Sequence, residues 1–223
     1  MKKIIAAATV GLLLVAAAAT LAAAAPAAMA QSADCAAFAA QAPAGITLSA
    51  ERVQGDTVRP PGQGSGPLLV EHCRLSGKMG ERMGQDGKPY HIGFELRLPV
   101  KWNGRLLYQG GGGNDGVVRP AVGPQATGGP GGYALNRGFA VVTTDAGHQG
   151  PTADFGFDPI ARTDNAYAAH DRVAVTAKDL VRRFYSKPVD KSYFIGCSGG
   201  GRQGMMFTQR FPQHFDGVIA MAP

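Results

Sequence analysis

The spacing of apolar and polar positions changes several times along the chain, and each change marks an element. Ile92 to Leu98 alternates apolar with polar residues up to Pro99, the pattern of a half-buried strand. Arg105 to Gln109 predicts a second short strand after the turn Trp102-Asn103-Gly104. Phe139 to Thr144 is a continuous apolar and β-branched run, which predicts a strand covered on both faces. From Asn165 to Tyr185 the residues Ala174, Ala177, Leu180, Val181 and Phe184 fall on one helical face, with Asp164 as N-cap and Pro188 as stop. A strand over Ser192 to Ile195 follows, then a helix over Gly200 to Arg210 ended before Pro212, then a buried strand over Gly217 to Met221. Strands alternating with helices of this length predict an α/β architecture, a mainly parallel sheet with helices on both faces.

Upstream of residue 89 the pattern is different. Residues 1–30 hold a charged start (Lys2, Lys3), an unbroken apolar and alanine-rich run from Ile4 to Ala25, and Ala28-Met29-Ala30, the three parts of an export signal. A membrane anchor competes, since the run is long enough to span. The alanine-rich end and the A-x-A site favour cleavage, so the mature chain is expected to begin near Gln31, secreted or periplasmic, with no stable membrane association. Residues 31–88 carry Pro60-Pro61-Gly62 and Gly64-Ser65-Gly66-Pro67 and only short apolar stretches, which predicts a loop-rich N-terminal extension on a core over 89–223.

Composition narrows the function. Without Lys2 and Lys3 the formal charge of +6 becomes +4, scattered rather than gathered, which is no nucleic-acid footprint. The three cysteines, Cys35, Cys73 and Cys197, form no C-x-x-C or Cys/His cluster, so no metal site is expected. In an exported chain thiols pair, and Cys35 and Cys73 bracket the loop-rich segment; that pairing leaves Cys197 over. The glycines sit in separate loops without a G-x-y period, which excludes a collagen-like chain.

Gly196-Cys197-Ser198-Gly199-Gly200 fits G-x-S-x-G between a predicted strand and a predicted helix, the setting of a nucleophile elbow in an α/β-hydrolase fold. A nucleophile on so tight a turn needs small residues two places before and after it. Ser198 is thus the candidate nucleophile, and Cys197, one place off centre, reads as a structural cysteine. An oxyanion hole in this setting takes one N–H from the residue after the nucleophile, here Gly199, and another from a loop after an earlier strand. Gly110 to Gly113 directly follows the Arg105 to Gln109 strand, with Gly112 and Gly113 as candidate donors. A plain surface loop is the competing reading; a phosphate loop lacks its G-K-[ST] ending here.

The acid and the base are harder to place. The fold's order is Ser, then acid, then His, and after Ser198 only His214 and Asp216 remain, both better read as surface or capping residues. Asp145 and His148 follow a strand on the side where ligands bind, but as the base they would violate that order, so they read as loop-structuring. His72, His91 and His170 have no partner at ligand spacing and default to solvated or core histidines. The sheet is therefore expected to be incomplete, running through the strand after the elbow.

With these pieces placed, the chain resembles the tannase and feruloyl esterase family, which includes mono(2-hydroxyethyl) terephthalate hydrolase-like enzymes. The resemblance rests on Trp102-Asn103-Gly104-Arg105, Gly110 to Gly113, Thr144-Asp145-Ala146-Gly147-His148, the run from Lys191 to Gly204, Arg210-Phe211-Pro212 and Phe215 to Ala220. It implies a serine carboxylic ester hydrolase for aromatic acyl esters (feruloyl, galloyl or terephthaloyl), with a small aromatic ester or an esterified polysaccharide or polyphenol as partner. It also implies that Cys197 pairs with a cysteine beside the catalytic histidine, absent from this chain, and that a lid, with a structural calcium in many members, follows the last strand. No cofactor is expected within these 223 residues, which are read as an inactive part of the enzyme. The alternatives are another extracellular serine hydrolase, such as a polyester depolymerase, and a non-catalytic remnant.

Overall fold

In the computed structural model, which describes residues 34–59, 67–123 and 132–223, seven strands form one sheet. The export-signal segment 1–30 and the Pro60-Pro61-Gly62 loop lie outside the described residues. In chain order the main elements are α1 (Cys35–Phe38), β1 (Ile46–Val53), β2 (His72–Met83), β3 (Pro89–Pro99), β4 (Arg105–Gln109) and β5 (Ala140–Thr144). Then come α2 (Pro159–Thr163), α3 (Ala169–Tyr185), β6 (Lys191–Cys197), α4 (Gly199–Arg210) and β7 (Gly217–Met221).

The spatial order is β1-β2-β3-β5-β4-β6-β7. From β5 to β7 every pairing is parallel, whereas β1, β2, β3 and the β3–β5 join are antiparallel, so the sheet is mixed rather than mainly parallel. The antiparallel half comes largely from the segment expected to be a loop-rich extension. In β2 the residues Cys73, Leu75, Gly77 and Met79 are buried at a period of 2, and a tight turn with Gly84 N–H donating to Lys88 O (2.8 Å) folds β3 back on it.

Among the described residues both long helices pack on one face of the sheet. Val173, Ala177, Leu180 and Phe184 of α3 share a core with Phe207 of α4 and with Leu96, Tyr108 and Phe194 of the sheet. The opposite face, expected to carry helices as well, is covered by the irregular segment between β4 and β5, whose Ala121, Val122, Tyr133 and Leu135 pack on Val141. A buried ion pair assists there: Arg97 Nε donates to Glu95 Oε1 (2.6 Å), and the same oxygen accepts Ala121 N–H (2.9 Å).

The long helical run starts earlier than its apolar period suggests. Asp158, not Asp164, is the N-cap: its carboxylate accepts Ala161 N–H (2.7 Å), with Pro159 in the first helical position. The Arg82 guanidinium, 2.6 Å away, holds the Asp158 carboxyl well below the usual range. Asp164–Ala168 is a π turn between α2 and α3, and its wider turn shifts the phase of the apolar stripe.

Cys35 and Cys73 form a disulfide that ties α1 to β2, with Cα atoms 5.5 Å apart. It closes a loop across a separation of 38 residues. The double Cys→Ala variant is expected to lose about 3 to 4 kcal/mol in urea unfolding; an unchanged midpoint would show the bond to be unimportant to the fold. His72 gives a pH test. Burial, aided by the Arg97 charge, lowers its pKa to about 4, although Nδ1 sits 2.7 Å from Val70 O. The unfolded imidazole titrates near 6.5, so its contribution to stability is lost as pH falls from about 6.5 to about 4. His72→Asn, which keeps a donor toward Val70 O, should gain about 1 to 3 kcal/mol relative to wild type when the pH is lowered from about 7 to about 4.5. A difference in urea midpoint that stays constant with pH would contradict this.

Candidate active site

β4 and β6 are parallel neighbours with Gln109 opposite Ile195, so whatever follows each strand emerges on the same edge of the sheet. Gly110, the first residue after β4, donates its N–H to Ile195 O at 2.8 Å. The glycine run is thereby delivered to the turn between β6 and α4. At that turn Ser198 has φ 57° and ψ −118°, a backbone region that favours glycine and costs a side-chain-bearing residue about 1 to 3 kcal/mol. The strain is held on both sides: Ser198 N–H donates to Met221 O of β7 (3.0 Å), and Ser198 O accepts Arg202 N–H (3.1 Å). The Ser198 side chain is exposed and caps nothing, and among the described residues its hydroxyl has no hydrogen-bond partner.

The small residues of the motif have a steric cause. A Cβ on Gly196 would lie 2.4 Å from Gly200 O, and one on Gly200 would lie 2.7 Å from Gly111 O. One on Gly201 would meet Met221 O at 2.2 Å. Strand, helix and glycine run therefore pack backbone against backbone.

The amides of the run divide sharply. Gly110 donates to Ile195 O, Gly111 to Gln203 Oε1 (3.0 Å) and Gly112 to Asp115 Oδ1 (3.1 Å). Gly113 N–H has no partner among the described residues. Gly199 opens α4, so the helix leaves its N–H unpaired. The two are neighbours: a Cβ built on Gly199 would be 3.1 Å from Gly113 N and 2.7 Å from Gly113 O. Of the three candidate donors, then, Gly199 and Gly113 come together beside the serine, while the Gly112 amide is already engaged. Two unpaired N–H groups at a helix N-terminus can receive a negative oxygen. Gly113 borders an open groove of about 550 Å³ lined by the glycine run, Cys197, Arg119 and Met221.

Titratable groups around the groove serve the loops. Asp115 lies under the glycine run, and burial pushes its carboxyl up to about 6 against the pull of Gly112 N–H, Arg119, Arg202 and Gln203. Asp145 is pushed up to about 6 by burial while accepting N–H groups from Gly93 and Gly147, both at 2.9 Å. His148 Nε2 donates to Asn114 O (2.7 Å), its ring stacks on Phe155, and burial lowers its pKa. Both residues fasten the loop after β5.

The other histidines stand away from the serine. His91 is half-buried, 3.9 Å from Asp145; His170 is fully buried beside the Tyr108 hydroxyl (3.1 Å) and lowered to about 4 by burial. His214 lies against Asp171 (2.5 Å) and accepts the Ser192 hydroxyl at its carbonyl (2.8 Å). Asp216 binds Lys191 and Ser192 N–H, which puts both residues at the start of β6, about 20 Å by strand rise from Ser198. All five histidines are described, and none is hydrogen-bonded to Ser198.

Cys197 is a free, exposed thiol at the groove. No group of three or more His, Cys, Asp or Glu stands together among the described residues. No described helix is long and apolar enough to cross a membrane. Sequence reasoning missed Asp115 and Gln203; the only available signal was their position, one just after the glycine run and one inside Gly-Arg-Gln-Gly.

The glycine contacts separate two otherwise similar substitutions. Gly200→Ala drives a methyl into Gly111 O and should cost about 1 to 3 kcal/mol in urea unfolding. Gly112→Ala meets nothing within 4 Å and should stay within about 0.5 kcal/mol of wild type. Equal effects would contradict the backbone packing described here.

The family profile described as "Tannase and feruloyl esterase" matches residues 73–223. The chain is 47% identical to mono(2-hydroxyethyl) terephthalate hydrolase of Piscinibacter sakaiensis over 172 residues, 73% of this chain and 28% of that protein. It is 33% identical to probable feruloyl esterase B-2 of Aspergillus flavus, over 83% of this chain and 33% of the relative. The crystal structure of feruloyl esterase B from Aspergillus oryzae superposes with a TM-score of 0.69 at 31% identity, covering 83% of this chain and 36% of that one. The chain thus spans about a third of the length of the relatives it matches.

Proposed function

Because the chain belongs to the tannase and feruloyl esterase family of carboxylic ester hydrolases, we propose that it carries the nucleophile and oxyanion donors of a secreted serine esterase for aromatic acyl esters of feruloyl, galloyl or terephthaloyl type. One observation carries the reading: Ser198, strained and exposed, stands beside the unpaired amides of Gly199 and Gly113. Ser198 Oγ attacks the ester carbonyl carbon, and the carbonyl oxygen takes up negative charge against those two amides. Collapse releases the alcohol and leaves the acyl group on Ser198, from which water frees the acid. The N-terminus of α4 favours the same negative charge.

A serine hydroxyl needs a base to take its proton. No histidine of this chain touches Ser198, so the base is assigned to polypeptide beyond these 223 residues. The exposed thiol of Cys197 supports this, being placed to bond a cysteine arriving with that histidine. The unpartnered hydroxyl equally favours a second reading, a non-catalytic remnant that keeps the fold. The export signal in the sequence supports secretion, and the names of the relatives, mono(2-hydroxyethyl) terephthalate hydrolase and probable feruloyl esterase, support an aromatic acyl group.

Hydrolysis of methyl gallate and p-nitrophenyl esters tests both readings. The full-length gene product should lose nearly all turnover on Ser198→Ala. Residues 31–223 alone should show no turnover above their own Ser198→Ala variant, because losing general-base help costs roughly two to four orders of magnitude. Robust Ser198-dependent turnover by 31–223 would place the base upstream, at a residue such as His148. A full-length product insensitive to Ser198→Ala would leave the remnant.

A further inference from the structure

Four glycines in a row have little to hold them, since glycine has the most conformational freedom to lose. Here the run is tied down by two side chains that the proposed chemistry does not use. Gln203, buried on α4, accepts Gly111 N–H at Oε1 (3.0 Å) and donates from Nε2 to Asp115 Oδ2 (2.6 Å). Asp115 Oδ1 accepts Gly112 N–H (3.1 Å), and Asp115 N–H donates back to Gly112 O (3.2 Å). The carboxylate also explains the glycine above it, since a Cβ on Gly111 would lie 1.6 Å from Asp115 Oδ1.

These bonds have a direction. Both ends of the chain are backbone N–H groups, which can only donate, so the Gln203 amide oxygen must face Gly111 and its NH₂ group must face Asp115. Asp115 then has to accept on both oxygens. The Gln203 amide cannot be reversed without setting donor against donor at Gly111. The next amide along, Gly113, is the one left without a partner.

Resting on the esterase reading above, we propose that Asp115 and Gln203 are positioning residues for the oxyanion site. Together they hold the glycine run in the conformation that presents the Gly113 amide beside Gly199. They touch no reacting atom. Their contribution depends on the direction of the Gln203-to-Asp115 hydrogen bond, not on the volume they fill.

Polarity exchange tests this. In Asp115→Asn the new NH₂ group must face either the Gln203 NH₂ or Gly112 N–H, so one link becomes a donor–donor clash. Adding Gln203→Glu restores every link, because the new carboxylate accepts from both Gly111 and the Asp115→Asn amide. In the full-length gene product, Asp115→Asn should lower kcat about 10- to 100-fold with KM within about 3-fold, a loss comparable to weakening one oxyanion donor. The double variant should recover to within about 3-fold of wild type.

A second readout needs no turnover: amide hydrogen exchange in ¹⁵N-glycine-labelled residues 31–223. Protection of the Gly111 and Gly112 amides should fall in Asp115→Asn and return in the double variant. Unchanged kcat and unchanged protection in Asp115→Asn would overturn the brace, and a double variant no better than the single would overturn its directional basis. If turnover in the full-length product proves insensitive to Ser198→Ala, the esterase reading fails instead, and the exchange data still decide whether the brace exists.

Discussion

The parallel pairing of β4 with β6, with Gln109 opposite Ile195, is the constraint on which the rest of the site depends. It brings the glycine run and the Ser198 turn out on one edge, close enough that backbone meets backbone at Gly110, Gly196 and Gly200. Such contact leaves no room for side chains, so the glycines of both motifs answer to one steric demand. It also places β7, on the other side of β6, where Met221 O can accept the Ser198 amide. A residue held in a costly backbone conformation persists only if its surroundings over-determine it. Here a strand on each side and a helix beneath do so.

The remaining sheet supports that pairing rather than the site itself. β5 flanks β4 on the side away from β6, and its loop is fastened by Asp145 and His148 rather than left to move over the groove. The antiparallel β1–β3 half widens the apolar face on which α3 lies, and the Cys35–Cys73 bond holds α1 to it.

What could be read from the sequence follows the range of the interactions involved. Elements that bury a regular stripe within one segment were legible: β4 stands where its apolar run puts it, and α3 buries Ala174, Ala177, Leu180, Val181 and Phe184 as its spacing requires. β7 also spans Gly217–Met221, but it is not the buried strand expected, since none of its residues is buried and Ile219 is exposed. β2 was not read as a strand, although Cys73, Leu75 and Met79 alternate, because glycine and charged residues between them dilute the signal. The helix start at Asp158 was hidden by the π turn, which puts the stripe out of phase before Ala169. In the candidate site, the strand-to-helix turn at Ser198 was legible because it is a local backbone requirement. That the Gly112 amide is engaged while the Gly113 amide is not was hidden, because it is decided by Asp115, itself held by Gln203 from another element.

The same distinction bears on how the proposed catalytic parts depend on one another. The strain at Ser198, the free Gly113 amide and the start of α4 are all fixed by contacts within residues 105–221, and no contact to a base enters. The electrostatic part of the site can therefore be preorganised before any base is docked against it. That matters energetically, because donors already aimed at the developing charge need no reorganisation at the moment of reaction, whereas a base has only to come within hydrogen-bond reach of one exposed hydroxyl. An exposed Ser198 with an exposed thiol next to it presents the face on which such a base can arrive without disturbing the packed glycines beneath.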